Sequence, residues 1–171
     1  PQGSVFAGVQ SVPPATAIRI DADLRLHEAR YWEPDMAGDP ALSGISLDEA
    51  ADRLEERLLD AIRLRLRADV PVGVYISGGL DSSVIAALAR KLDTTEMHSF
   101  GVRFADQAFD ETPQQRLVAS HVGTEHHDIL CGTQDIQDSL PDVVWHGEAP
   151  LVRTAPAPLF LLSRLVRDSG I

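Results

Sequence analysis

A chain of 171 residues, 44% of them hydrophobic, holds enough apolar material for one sizeable core, and none of its apolar runs approaches the length that crosses a bilayer. Fifteen basic residues stand against 26 acidic ones, a formal charge of −11, which argues against a nucleic-acid partner because such partners select basic faces. A single cysteine, Cys131, excludes internal disulfides and fits a reducing cytoplasm. It reads as a small core or strand-end residue rather than a reactive thiol.

Residues 1–35 differ from the rest. Val12-Pro13-Pro14-Ala15-Thr16 reads as a turn, the alternating Ala17-Ile18-Arg19-Ile20-Asp21 as a short strand, and Arg30-Tyr31-Trp32-Glu33-Pro34 as its exit. Residues 36–45 form a Pro/Gly/Ser-containing linker. So short a stretch makes no stable domain alone, and it is expected to be the last strand and exit of a neighbouring domain.

A capping box, Ser46-Leu47-Asp48-Glu49, opens a helix that is expected to run to about Arg67. Arg53, Arg57, Arg63, Arg65 and Arg67 on it suggest phosphate binding, but the interleaved Asp52, Glu55, Glu56 and Asp60 favour a solvated face with pairs four residues apart. Val72-Gly73-Val74-Tyr75-Ile76 then reads as a buried parallel strand and Ser82 to Leu92 as a helix. Between them lies Ser77-Gly78-Gly79-Leu80-Asp81-Ser82-Ser83. Further on, 97–102 is a second strand and 111–122 a helix stopped by Gly123. Residues 126–130 form a third strand, Thr133 or Asp135 to Trp145 a helix, and 156–168 a last helix ended by Gly170. Alternating strands and helices imply an α/β fold with a doubly wound parallel sheet.

The 77–83 loop carries the chemistry. Strand, glycine turn and helix aim backbone N–H groups and a positive helix end at an anion. Gly78 and Gly79 admit phosphate oxygens close to the backbone, while Ser77, Ser82 and Ser83 add hydroxyls. Asp81 repels phosphate unless a cation lies between, and a magnesium ion on Asp81 resolves that conflict. The loop is neither a Walker sequence nor a nucleophile elbow. His121, Glu125, His126 and His127 invite a metal cluster, but neighbouring histidines on a strand face opposite ways, so surface imidazoles are the favoured reading. Asp110 and Glu111 are balanced between a ligand-side pair and a helix start. Arg153 lies in a loop too mobile to assign.

The loop resembles the PP-loop of ATP pyrophosphatases, which split ATP into AMP and pyrophosphate. His98-Ser99-Phe100-Gly101-Val102, Phe109-Asp110-Glu111, Gly123-Thr124-Glu125-His126-His127 and Trp145-His146-Gly147-Glu148-Ala149-Pro150 are similar to the synthetase domain of glutamine-hydrolysing asparagine synthetases. Gly8-Val9-Gln10-Ser11-Val12-Pro13-Pro14 and Arg30-Tyr31-Trp32 resemble the close of that family's glutaminase domain. The resemblance implies adenylation of the aspartate side chain and displacement of AMP by glutamine-derived ammonia, with ATP and Mg2+ bound. It implies ATP contacts at Ile76, Ser77, Gly78, Gly79, Asp81, Ser82 and Val102, with the metal on Asp81. For Ile76 and Val102 an ordinary core role stands beside this. No residue is assigned the catalytic step. β-Lactam synthetase-like or other amidating relatives are the alternative, and a non-catalytic module is a third.

The implied strand order is 3-2-1-4-5, with strand four beyond Ile171, so a segment of a longer polypeptide is expected. Residues 1–35 would be a glutaminase remnant, 36–45 a linker and 46–171 the first part of the synthetase domain. Residue 1 is proline where the glutaminase nucleophile would be a cysteine, and a later acidic motif is missing. The fragment alone is therefore expected to be inactive. Partners would be ATP, aspartate, ammonia and the missing glutaminase domain. A homodimer is admitted, and neither nucleic acid nor membrane is expected.

Overall fold

The computed structural model describes residues 4–92 and 96–171, so Pro1, read above against the glutaminase nucleophile, lies outside the described residues. The chain divides into two compact units, Pro1–Ser46 and Leu47–Ile171. The first contains an antiparallel hairpin of β1 (Thr16–Ile20) and β2 (Leu26–Arg30), with Thr16 opposite Arg30 and Ile20 opposite Leu26. The sequence reading had only the first of these strands. Leu26-His27-Glu28-Ala29-Arg30 has no apolar alternation, and every one of its residues is exposed. The turn holds the register instead. Asp21 Oδ1 accepts from the amides of Asp23 (3.1 Å) and Arg25 (2.9 Å), and Leu24 takes a φ of 61°. The bond from His27 and the Arg25 amide hold the Asp21 carboxyl below its usual range.

The second unit runs α1 (Leu47–Arg65), β3 (Val74–Tyr75), α2 (Leu80–Leu92), β4 (His98–Phe104), α3 (Thr112–Val122), β5 (Glu125–Cys131), α4 (Thr133–Gly147) and α5 (Pro156–Asp168). Its three strands are parallel in the order β3-β4-β5. Right-handed crossovers through α2 and then α3 advance in one direction across the sheet, which puts both helices on the same face. α1 packs on α2. This face buries Ile62, Ile76, Ala86, Ala89, Met97, Ala119 and Val122, and the alanines let α2 and α3 approach the strands closely. α5 packs on β4 and β5, with α4 against α5. Phe100 and Ile76 are fully buried, worth about 1.5–3 kcal/mol each.

The first parallel strand is shorter than the 72–76 run. Only Val74 and Tyr75 pair in full with Ser99 and Phe100, and the Ile76 amide adds a bond to the Phe100 carbonyl at 2.9 Å. Among the described residues, β3 pairs on one side alone. Its other side borders a groove of about 540 Å³ lined by Leu58, Ile62, Leu66, Val72 and Tyr75. On α1, Arg53 pairs with Glu49 four residues away (2.7 Å), the spacing expected of a solvated face, and Arg63 with Asp60 three residues away (2.5 Å).

Local bonds at three helix ends close, tie or cap the elements. Gly123 takes φ 73° and donates to the Ala119 carbonyl at 2.8 Å, closing α3. Arg90, near the end of α2, donates to the carbonyls of Val122 and Gly123, which ties α2 to the end of α3. The Asp135 carboxylate accepts from the Gly132 amide at 2.8 Å, capping α4.

Candidate nucleotide site

The glycine loop occupies the turn between the carboxyl end of β3 and the first residue of α2, the ligand side of a parallel sheet. Gly78 is left-handed, φ 85°. A Cβ there would stand 3.0 Å from the Cβ of Gln114 and 3.2 Å from the Glu111 carbonyl. Backbone conformation and the closeness of α3 thus both require glycine. At Gly79 a Cβ would meet only the Ser77 hydroxyl, at 3.3 Å.

The serines hold the loop in shape. Ser82 Oγ accepts from the Ser77 amide (3.1 Å), lies 2.9 Å from Ser77 Oγ and donates to the Gly79 carbonyl (3.2 Å). Ser83 Oγ donates to the same carbonyl at 2.7 Å, and the Gly79 amide donates to Ser77 Oγ at 3.3 Å. The first-turn amides of α2 have no partner further back in the helix. The loop therefore offers main-chain donors on a frame that its own hydroxyls brace. Asp81 lies in the first turn of α2, exposed.

Ile76, Ser77 and Val102 line one cavity of about 280 Å³ that also includes Phe109, Glu111 and Pro158. The Ile76 side chain belongs to the core under α2, so this residue presents its main chain to the cavity. Asp81 and Ser82 line the groove beside β3 instead. Of the seven residues read as ATP contacts, Ile76, Ser77 and Val102 therefore line the cavity and Asp81 and Ser82 the groove, while Gly78 and Gly79 lie in the turn and line neither.

Gln115 was missed by the sequence reading. It is buried, its amide nitrogen donates to the Val102 carbonyl at 2.9 Å, and among the described residues its Oε1 has no partner. A Cβ on Gly101 would fall 2.3 Å from that oxygen, so the glycine of His98-Ser99-Phe100-Gly101-Val102 makes room for Gln115. Asp110 behaves as a helix-start residue: its carboxylate accepts from Thr112 Oγ1 (2.6 Å) and the Phe104 amide (3.4 Å). The Thr112 bond is the main cause holding its carboxyl below the ordinary value. Glu111, in contrast, sits against Gly78 and lines the cavity. Arg153 is exposed in the segment before α5. Cys131 is buried at the end of β5, and burial pushes its thiol up.

Residues 53–171 match the asparagine synthase family. The chain belongs to that family. A putative glutamine-hydrolysing asparagine synthetase 2 of Methanocaldococcus jannaschii is 33% identical over 151 residues, covering 86% of this chain and 28% of that protein. Asparagine synthetase B of Escherichia coli is 36% identical over 141 residues, 72% of this chain and 25% of its own length. An amidase of Penicillium rubens is 29% identical over 180 residues, 97% of this chain and 27% of its own. The chain spans about a quarter of the length of these curated relatives. Among the described residues, no helix is long and apolar enough to cross a membrane.

Proposed function

We propose that this chain supplies the nucleotide-binding part of an ATP-dependent, amide-forming ligase that makes asparagine from aspartate. The observation that carries the reading is the braced Gly78–Gly79 turn, wedged on α3 and opening beside the cavity under Val102. In this reading the adenosine enters the cavity and the phosphates lie along the amides of the turn and of the start of α2. Family membership supports it.

A carboxylate is a poor acyl donor because its leaving group would be oxide. Attack of the aspartate side-chain oxygen on the α-phosphorus breaks the bond to pyrophosphate and gives an acyl-adenylate. Ammonia released from glutamine in the glutaminase domain then attacks the acyl carbon and expels AMP. The contribution of these residues is positioning and the neutralisation of charge building on the departing pyrophosphate. Main-chain donors at Gly78 and Gly79 hold the leaving group, the Gly79 amide exchanging its 3.3 Å bond to Ser77 Oγ for a phosphate oxygen, while Ser77 and Ser82 fix the turn. Asp81 suits Mg2+, since it is an exposed carboxylate in the same helical turn as Ser82, and that ion typically takes one or two carboxylates plus phosphate oxygens. When bound, Mg2+ would offset phosphate charge.

A second reading has an observation of its own. The Penicillium rubens protein that matches over 97% of the chain bears the name amidase and not asparagine synthetase, so the second reading is a relative that uses the same site to form the amide of another acid. Pyrophosphate release from the full-length protein, measured with ATP, magnesium, ammonia and a panel of acids, tests both. Aspartate-dependent release that Asp81→Ala abolishes is the expected result. Release with another acid selects the second reading, and no release with any acid overturns both.

A further inference from the structure

The amino end of the sheet carries a side-chain cluster that the nucleotide reading does not use. His98 opens β4 and Glu125 opens β5, and the parallel register sets His98 beside Glu125 and Phe100 beside His127. Alternate residues share a face, so His98, Glu125 and His127 stand together. His126 faces the other way and bonds to Ser99 at 2.9 Å. His98 Nδ1 lies 3.2 Å from His127 Nε2. The Glu125 carboxylate is 3.7 Å from the former nitrogen and 3.4 Å from the latter, and all three residues offer ligand atoms within 4.8 Å of one another.

These separations suit a metal. A tetrahedral ion with bonds of about 2.0–2.2 Å to nitrogen and oxygen needs ligand atoms roughly 3.3–3.6 Å apart. The two imidazole nitrogens, 3.2 Å apart, stand at that edge length. The Glu125 carboxylate offers a different oxygen to each (Oε2 at 3.7 Å from His98, Oε1 at 3.4 Å from His127), so a small rotation of this exposed side chain closes the triangle on one ion. The ligand rings are also held in place: His127 stacks on buried Phe100 with centroids 5.1 Å apart, and His98 stacks on His127 at 5.4 Å. The side chains of His98, His127 and Glu125 are 26%, 27% and 55% exposed, which leaves a solvent side for a fourth ligand. Two imidazoles and one carboxylate form a donor set that suits zinc and its neighbours, and it is too rich in nitrogen for magnesium or calcium.

We infer that His98, Glu125 and His127 bind a first-row divalent transition ion, with zinc the best fit, and that the ion clips the amino ends of β4 and β5 together. The cluster and Val102 lie toward opposite ends of β4, so this site stands or falls independently of the nucleotide reading. Its alternative is a pair of imidazoles sharing a carboxylate by hydrogen bonds alone.

The full-length protein, stripped with chelator and free of nucleotide, is titrated with Zn2+ by calorimetry and with Co2+ by visible absorption. One ion per chain is expected, with a four-coordinate cobalt spectrum that Zn2+ displaces and a melting temperature that rises with Zn2+. Glu125→Gln and His98→Gln should each weaken binding by more than about tenfold, since even groups that only orient a ligand cost that much. His121→Ala, at an exposed position on α3, should leave it unchanged. Glu125→Gln alters an exposed side chain, so it tests the site even if a histidine variant fails to fold. Absence of saturable binding, or equal affinity in Glu125→Gln and the parent protein, overturns the site.

Discussion

The two ends of the parallel sheet differ in the groups that they offer to the ligands proposed for them. At the carboxyl end the groups proposed to bind are main-chain amides, set by a left-handed Gly78 and a frame of serine hydroxyls. At the amino end they are side chains, His98, Glu125 and His127, brought together by strand register. Main-chain sites tolerate little change in backbone and much in side chain. Side-chain sites behave the other way round. A glycine substitution should therefore be most damaging at the first end, while a conservative polar swap should matter more at the second.

The largest effect is expected at Gly78. Gly78→Ala forces a Cβ into a left-handed turn 3.0 Å from Gln114 and shifts the donors below it. Loss of one well-aimed donor costs about 10²–10³-fold in rate, so pyrophosphate formation in the full-length protein should fall by at least that much. A change under about threefold would break the claim that this backbone shape matters.

Gly101→Ala comes next. Its Cβ collides with Gln115 Oε1, and overpacking of this kind costs about 1–3 kcal/mol. Gln115→Ala in the same chain removes the nearest obstacle and leaves His126 Cε1 at 3.1 Å, so the double variant should melt above the sum expected from the singles. Simple additivity would show that the two residues do not compete for space.

A smaller effect concerns pH. Burial is the main cause holding the His126 imidazole below its ordinary value, with Asp128 opposing in part. The folded protein therefore favours the neutral ring. Its contribution is fully present above the unfolded value of about 6.5 and is lost as pH falls through that value toward the lowered one. His126→Gln should flatten the decline in melting temperature between about pH 7.5 and 5.5. An equal slope in both proteins would remove His126 as its source.

The smallest effect is on α1. Arg53→Ala breaks an exposed pair with Glu49 and should cost only about 0.3–0.5 kcal/mol, with no change in nucleotide affinity. A clear loss of affinity would return the α1 arginines to the phosphate-binding reading.

Legibility in the sequence follows the same division. Val72 to Leu92 was readable because strand, glycine turn and helix are contiguous, and Gly123 and Gly170 mark helix ends by local conformation alone. Residues 77–83 were placed together for the same reason. The β2 strand was not readable, since polar, exposed residues leave no pattern and only the Asp21 turn fixes it. Gln115 was hidden because its role depends on a glycine in another element. The set proposed for a metal was not legible for a related reason. Adjacent His126 and His127 do face apart, but His98 completes the set from a neighbouring strand, and its approach depends on a register the sequence does not print.

The most direct test of the nucleotide reading is a crystal structure of the full-length protein with a non-hydrolysable ATP analogue and magnesium. Polyphosphate oxygens within hydrogen-bond distance of the Gly78 and Gly79 amides, with the adenine beside Val102, are the predicted result. A triphosphate bound at any other surface, with this turn left in contact with solvent, would contradict it.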